Sequence, residues 1–319
     1  MAAGWLRRLK AENVPLDTWA RSLRQGRRLL GLLLFAAMVA QAALYTHAEP
    51  GFGHAILPSW PGSRPETTAM ATDDGTKAQD LAGFIERQWG VHVSWADPAH
   101  FRAWDPKLDP TGWHVEPIAQ ADIVPALKLV IQALSVYPPD FVRRTMGPLV
   151  LCGDLSIDGD HVGGVTYIST IFIIVPPLDD AATRVFVRDT VHHEFSTLAL
   201  SQGTLDDKAW SAANPAGFAY AIAHDANAKL EATQITEDPA GSATLHAQGF
   251  LSRYGQASIR NDFNTYADAV FGHPADLVAL MLRYPRIRQK AGLFQAAYIA
   301  LDPDFGGYFA RVGVMAAAP

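Results

Sequence analysis

Apolar residues at Ile123, Leu127, Val130, Ile131 and Leu134 recur at three- and four-residue intervals. That spacing predicts an amphipathic helix that ends before Pro138-Pro139, with Pro125 in its first turns. Upstream, Leu81, Phe84 and Ile85 mark a short helix near Ala78, and the apolar VHVSW that follows reads as a strand. Two runs that read as strands come next, 148–155 and 164–175, parted by the Asp/Gly turn Ile157-Asp158-Gly159-Asp160. A helix is then predicted from an N-cap at Asp179 to about Ser201, with Phe186, Val187, Val191, Phe195 and Leu198 on its apolar side. Beyond it the pattern is mainly helical with loops, and no internal repeat is found. Trp95, Trp104 and Trp113 fall in a loop-rich stretch and are read as packing residues. The order of elements indicates an α+β fold, a small sheet followed by helices.

The N-terminal 76 residues follow none of these patterns. Residues 1–28 carry seven Lys or Arg against Glu12 and Asp17, a net charge of +5, and residues 29–48 carry no formal charge. Twenty such residues, including LLGLLLFAAMVAQAALY, suffice to cross a hydrocarbon core. The positive-inside rule then leaves the basic tail (1–28) in the cytoplasm and sends the rest across the membrane. The expected localisation is the inner (cytoplasmic) membrane, single-pass, with a periplasmic or extracellular domain. Ala40-Gln41-Ala42 resembles a signal-peptidase site, so removal of the segment is the alternative to an anchor at 29–48. Residues 49–76, with four prolines and scattered Gly, Ser and Thr, read as a flexible linker, and 77–319 as one domain.

The whole chain is −6, so everything after residue 28 is −11. An acidic body lacks the clustered Lys and Arg that phosphates require, which excludes nucleic-acid binding as a main role. Cys152 is the only cysteine, so no internal disulfide forms, and its flanks PLVLCGD place it in a buried strand as a structural residue.

The candidate chemistry lies at Val191-His192-His193-Glu194-Phe195-Ser196-Thr197. In H-E-x-x-H, two imidazoles one helical turn apart hold one zinc ion while the Glu activates the metal-bound water. Here Thr197 stands where the second His would be. A His-Glu pair alone is also compatible with an ordinary buried helix.

The segment from about 180 to 311 resembles a bacterial family of zinc-binding metallopeptidases. The similarity is carried by His192-His193-Glu194-Phe195-Ser196-Thr197, by Trp210-Ser211-Ala212-Ala213-Asn214-Pro215 with Gly217-Phe218 and Tyr220, and by Gln248-Gly249-Phe250-Leu251. It continues through Asn261-Asp262-Phe263-Asn264, Tyr284-Pro285-Arg286-Ile287-Arg288 and Leu301-Asp302-Pro303. The resemblance implies a zincin-like, gluzincin-type domain with His193 as first zinc ligand and Glu194 as general base. It also implies Asp262 as a further ligand, Tyr254 as the phenol that donates to the oxyanion, and residues 170–175 as the edge strand beside an extended peptide.

Because a catalytic zinc normally has three protein ligands, Thr197 leaves the set one short. Asp189, one turn before His193, and His192 are candidate substitutes, although His192 projects about 100° away around the helix. His224 is a remote third candidate. The bland alternative makes His192 and His193 interior histidines bonded to Tyr254, Asp262 or backbone, with Glu194 as counter-charge and Tyr254 as a core aromatic. Two functions are therefore expected of a membrane-anchored domain with a peptide or protein partner. One is zinc-dependent hydrolysis of peptide bonds. The other is an inactive pseudopeptidase that binds peptides or serves as a scaffold at the cell envelope.

Overall fold

A computed structural model describes residues 74–95, 112–157, 159–220 and 239–315. The basic tail, the apolar segment, most of the linker, Trp104 and His224 lie outside the described residues. Among the described residues no single helix is long and apolar enough to cross a membrane.

The fold is α+β, a small mixed sheet with helices over it. Helix α1 (Asp74–Trp89) leads to strand β1 (Val93–Ser94), then β2 (Trp113–Pro117), α2 (Gln120–Leu134) and α3 (Pro139–Thr145). Strands β3 (Leu149–Ile157), β4 (Asp160–His161), β5 (Gly164–Tyr167) and β6 (Thr170–Ile174) complete the sheet. The strand order is β1-β3-β6-β5, with β2 and β4 added to the far end of β3. Strands β1, β3 and β6 run parallel, while β2 and β4 are antiparallel to β3 and β5 is antiparallel to β6.

Alternation along β3 divides the core. Leu149 and Leu151 face the helices, whereas Val150 and Cys152 face a smaller apolar cluster with Phe172 and Ile174. A register shift opposite Glu116/Pro117 interrupts the alternation, so that Leu155 and Ile157 return to the smaller cluster. Gly153 sits at the shift, where a Cβ would collide with the Pro117 carbonyl. Asp154 and Ser156 consequently lie on the opposite face from that cluster.

The central helix is α4 (Ala181–Leu200), which meets α2, β5, β6 and the later helices. Its N-cap is Asp180, one residue later than expected, whose Oδ1 accepts the Thr183 N–H at 2.8 Å. Phe186, Val187, Val191 and Phe195 are buried, and so are His192, His193 and Glu194. Each large apolar side chain so buried contributes roughly 1.5–3 kcal/mol. That burial lets α4 hold polar groups in the interior.

The downstream helices are α5 (Asp207–Ala212), α6 (Pro239–Gln248), α7 (Ile259–Ala267), α8 (Pro274–Arg283), α9 (Pro285–Leu301) and α10 (Phe305–Arg311). A 3-10 turn at Arg253–Gln256 precedes α7, and a π-helical turn at Asp268–Gly272 follows it.

The strand expected over 164–175 is instead a hairpin. It turns at Ile168, whose φ of 57° is the only positive value at a non-glycine among the described residues. Residues 170–174 are therefore an inner strand between β3 and β5, and β5 is the edge. Continuous β-branched composition hid the turn, because Ile168-Ser169 carries no Gly, Pro or Asn to announce it. Trp113, expected in a loop, opens β2. Helix α3 begins with Pro139 in its first turn, so the diproline both ends α2 and starts a new helix.

Candidate functional site

Two helices cross at the site and are tied by two side-chain bridges. His193 and Thr197 are one turn apart on α4. Asn264 on α7 and Asp268 at the start of the π-turn are likewise one turn apart. His193 Nδ1 lies 3.0 Å from Asp268 Oδ2, and Asn264 Nδ2 donates to Thr197 Oγ1 at 2.8 Å. The pairs run in opposite order along the two helices and form a ladder of two rungs. The Ser258 hydroxyl, accepting from the Asn261 N–H at 3.1 Å, caps α7 and sets its starting point.

Glu194 is joined to the edge strand. Thr166 Oγ1 on β5 is 2.8 Å from Glu194 Oε2 and 2.9 Å from the Glu194 carbonyl oxygen. One hydroxyl proton cannot serve both acceptors. A protonated Glu194 resolves this by donating to Thr166 Oγ1 while the hydroxyl donates to the carbonyl. Burial raises the Glu194 pKa in the same sense, against the opposing His193 charge and the Thr166 hydrogen bonds. Helix and strand approach closely here, since a Cβ on Gly164 would lie 2.6 Å from Thr190 Cγ2 and 3.1 Å from Glu194 Cγ.

Burial disfavours the His193 imidazolium, but the charge and hydrogen bond of Asp268 outweigh it and lift the pKa above its ordinary value. Burial also raises the Asp268 carboxyl, against the attraction of His193. The Tyr254 ring stands 5.6 Å from the His193 ring at 49°. Burial, helped by Glu194 and Asp268, raises the Tyr254 pKa and keeps its phenol an O–H donor. His193, Glu194, Tyr254, Asp268 and Thr166 thus form one polar group beside the sheet edge.

The other expected site residues point elsewhere. His192 turns away from His193, and its Nδ1 lies 2.9 Å from the Tyr137 hydroxyl. Burial pushes its pKa down to about 3, so it is a neutral imidazole hydrogen-bonded to Tyr137. Asp189 takes its partners from another side, with Oδ2 2.6 Å from His273 Nε2 and Oδ1 held by Arg188 at 2.8 Å.

Asp262 is the largest correction. Its fully buried carboxylate receives Lys290 Nζ at 2.6 Å, the Tyr220 hydroxyl at 2.6 Å and Trp210 Nε1 at 2.9 Å, all on Oδ2. Lys290, itself 0% exposed, also sits 3.9 Å from the Phe250 ring centroid. Asp262 is thereby engaged in an interior ion pair, and His193 has Asp268 as its acidic neighbour. Sequence spacing selected the acid nearer the start of α7, whereas the residue that meets His193 lies six positions further on, past the end of that helix.

Zinc fits these positions poorly. Thr197 is occupied by Asn264, Asp262 by Lys290 and Asp189 by His273 and Arg188. Among the described residues no three His, Cys, Asp or Glu side chains are gathered as a metal site.

Sequence reasoning missed Asp268, Asn264 and Thr166. The four-residue interval of Asn264 and Asp268, matching that of Thr197 and His193, was the available signal. Thr166 had none, because the strand partner of a helix residue is set only by tertiary packing. Comparisons with family models, with curated proteins and with solved structures find no match to this chain.

Proposed function

We propose that this is a peptide-binding domain of zincin-like architecture in which side-chain bridges between α4 and α7 stand in place of a catalytic metal centre. The observation that carries the reading is the Asn264–Thr197 hydrogen bond, which occupies the position a second histidine ligand would need. The edge strand β5 supplies the binding mode. One side of β5 pairs with β6, and no described strand pairs with the other, so an extended peptide can add to the sheet by main-chain hydrogen bonds. Thr166 connects that edge to Glu194, and the Tyr254 phenol is a donor suited to a peptide carbonyl. With the basic tail and apolar segment as a membrane anchor, the domain binds its partner outside the cytoplasmic membrane.

A second reading keeps the chemistry. His193, Glu194 and Tyr254 adjoin, which favours a zinc-dependent peptidase that completes its ligand set from outside the described residues. The two are separated by incubating the purified full chain with a random peptide pool, first with a chelator and then with zinc, and analysing the peptides by mass spectrometry. Retention of intact peptides under chelation is expected. Zinc-dependent cleavage that disappears in Glu194→Gln would favour the peptidase, and failure to retain any peptide would remove the binding reading.

A further inference from the structure

The two faces of the edge strand β5 are chemically unlike. Thr166 bonds to Glu194, and a Cβ on Gly164 would meet Thr190 and Glu194, so positions 164 and 166 face α4. By alternation Val165 and Tyr167 face the other side, where both pack, half-buried, on the smaller apolar cluster. The Trp113 ring stands edge-on to Tyr167 at 5.6 Å and to Phe172 at 5.1 Å, which fixes that surface. The main chain alternates too. The Ile174 N–H donates to the Gly163 carbonyl at 3.0 Å, so residues 163, 165 and 167 direct their backbone groups to β6, and those of Gly164 and Thr166 point to the unpaired side.

Ile168 follows at the turn. It is 55% exposed, and its positive φ falls at a position that two-residue hairpin loops usually give to glycine. The Gly147 N–H, donating to the Ser169 carbonyl at 3.0 Å, holds the turn from outside the hairpin. Strain of this kind persists where surrounding contacts over-determine it, and at more than half exposure Ile168 offsets little of it by burial.

We propose that Val165, Tyr167 and Ile168 select the bound peptide, favouring an extended segment with large aliphatic or aromatic residues at alternate positions. The inference rests on the peptide addition at β5 proposed above. A strand hydrogen-bonded to Gly164 and Thr166 places its residues opposite Val165 and Tyr167 on the side away from α4, next to those two side chains. There they cover apolar surface that the fold leaves half open, and the peptide can run on past Tyr167 to Ile168. Residues opposite Gly164 and Thr166 fall instead on the polar side, toward Glu194. A second copy of this chain is a poorer occupant, because pairing two four-residue edges alone falls well short of the roughly 1,000 Å² of a stable interface.

The test uses the full chain in chelator and two fluorescein-labelled nonapeptides of one composition, valine and phenylalanine with serine and lysine. One alternates apolar and polar residues, and the other holds its apolar residues in one block. Fluorescence anisotropy should show the alternating peptide binding about tenfold tighter, from two cross-strand apolar contacts. Val165→Thr and Tyr167→Thr should each weaken it by up to about fivefold, with circular dichroism confirming that every variant is folded. Ile168→Gly should weaken it as well while raising the urea midpoint, a combination that a purely structural role would not produce. Equal binding of the two peptides, with slowed amide exchange over residues 164–167, overturns the selection and leaves peptide addition standing. Binding of neither peptide removes both. A preference for the alternating peptide that survives all three substitutions overturns the assignment of these residues. Slowed exchange over 164–167 without peptide, with a dimeric mass in light scattering, makes a second copy the occupant and overturns the proposal.

Discussion

Replacing Lys290 by methionine tests whether Asp262 is held for structure. Methionine keeps most of the stem volume against Phe250 and Trp210 but removes the ammonium 2.6 Å from Asp262 Oδ2 and 3.9 Å from the Phe250 centroid. Breaking a buried ion pair by deleting one partner costs about 3–5 kcal/mol, because the remaining charge is stranded. Asp262 escapes part of this by taking a proton, since burial already raises its pKa against the pull of Lys290. The expected loss is therefore near the lower bound, about 3 kcal/mol. Urea unfolding of the purified chain followed by tryptophan fluorescence reads it as a midpoint drop of about 1.5 M for a slope of about 2 kcal/mol/M. The deficit should shrink as pH falls through the raised Asp262 pKa, because a stranded acid destabilises the fold only while ionised. Asp262→Asn in the Lys290→Met background should recover much of the loss. A loss below about 1 kcal/mol, independent of pH, would mean that Lys290 does not hold Asp262 and that the carboxylate is free to ligate a metal.

Three further outcomes are expected. His192 is depressed to about 3 in the fold, so the unfolded chain takes a proton there as pH falls below about 6.5 and the folded chain does not. Stability should decline toward acid by up to about 1.4 kcal/mol per pH unit from this group, and His192→Phe should flatten that limb of a Tm-against-pH curve. His193, raised by Asp268, acts in the opposite sense; its contribution is complete below about 6.5 and is lost as pH rises through the folded value. Ile168→Gly should raise stability by about 0.5–1 kcal/mol in urea, because φ of 57° strains a β-branched residue by about 1–2 kcal/mol, partly offset by the greater chain entropy of glycine. Thr197→His alone should gain little zinc affinity because Asn264 faces it, whereas Thr197→His with Asn264→Glu should create a zinc site with His193 that calorimetry detects.

Helix α2 was legible in the sequence because Ile123, Leu127 and Val130 are at the period that burial demands, and all three are buried. Helix α4 was legible for the same reason, and its polar run His192-His193-Glu194 drew attention to the site. The boundary errors were local: two successive aspartates compete for one N-cap, and Ile168-Ser169 turns without turn chemistry. The contents of the site were harder. His193 and Asp268 are 75 residues apart, and Thr166 is 28 residues before Glu194. Such partners depend on how α4, α7 and β5 pack, which no local period encodes. Asp262 misled because an acid opening a helix looks alike whether it meets a metal or a buried lysine, and Lys290 follows Arg283, Arg286 and Arg288, where nothing local marks one cation as buried.

The most direct measurement is amide hydrogen exchange over residues 164–167 of the full chain, held in chelator, with and without a peptide recovered from the binding pool. Addition of the peptide to the free side of β5 should slow exchange there and leave inner β6 unchanged, with the peptide intact at the end. Unchanged exchange across β5, together with peptide disappearing only when zinc is supplied, would contradict the binding account and favour a metallopeptidase.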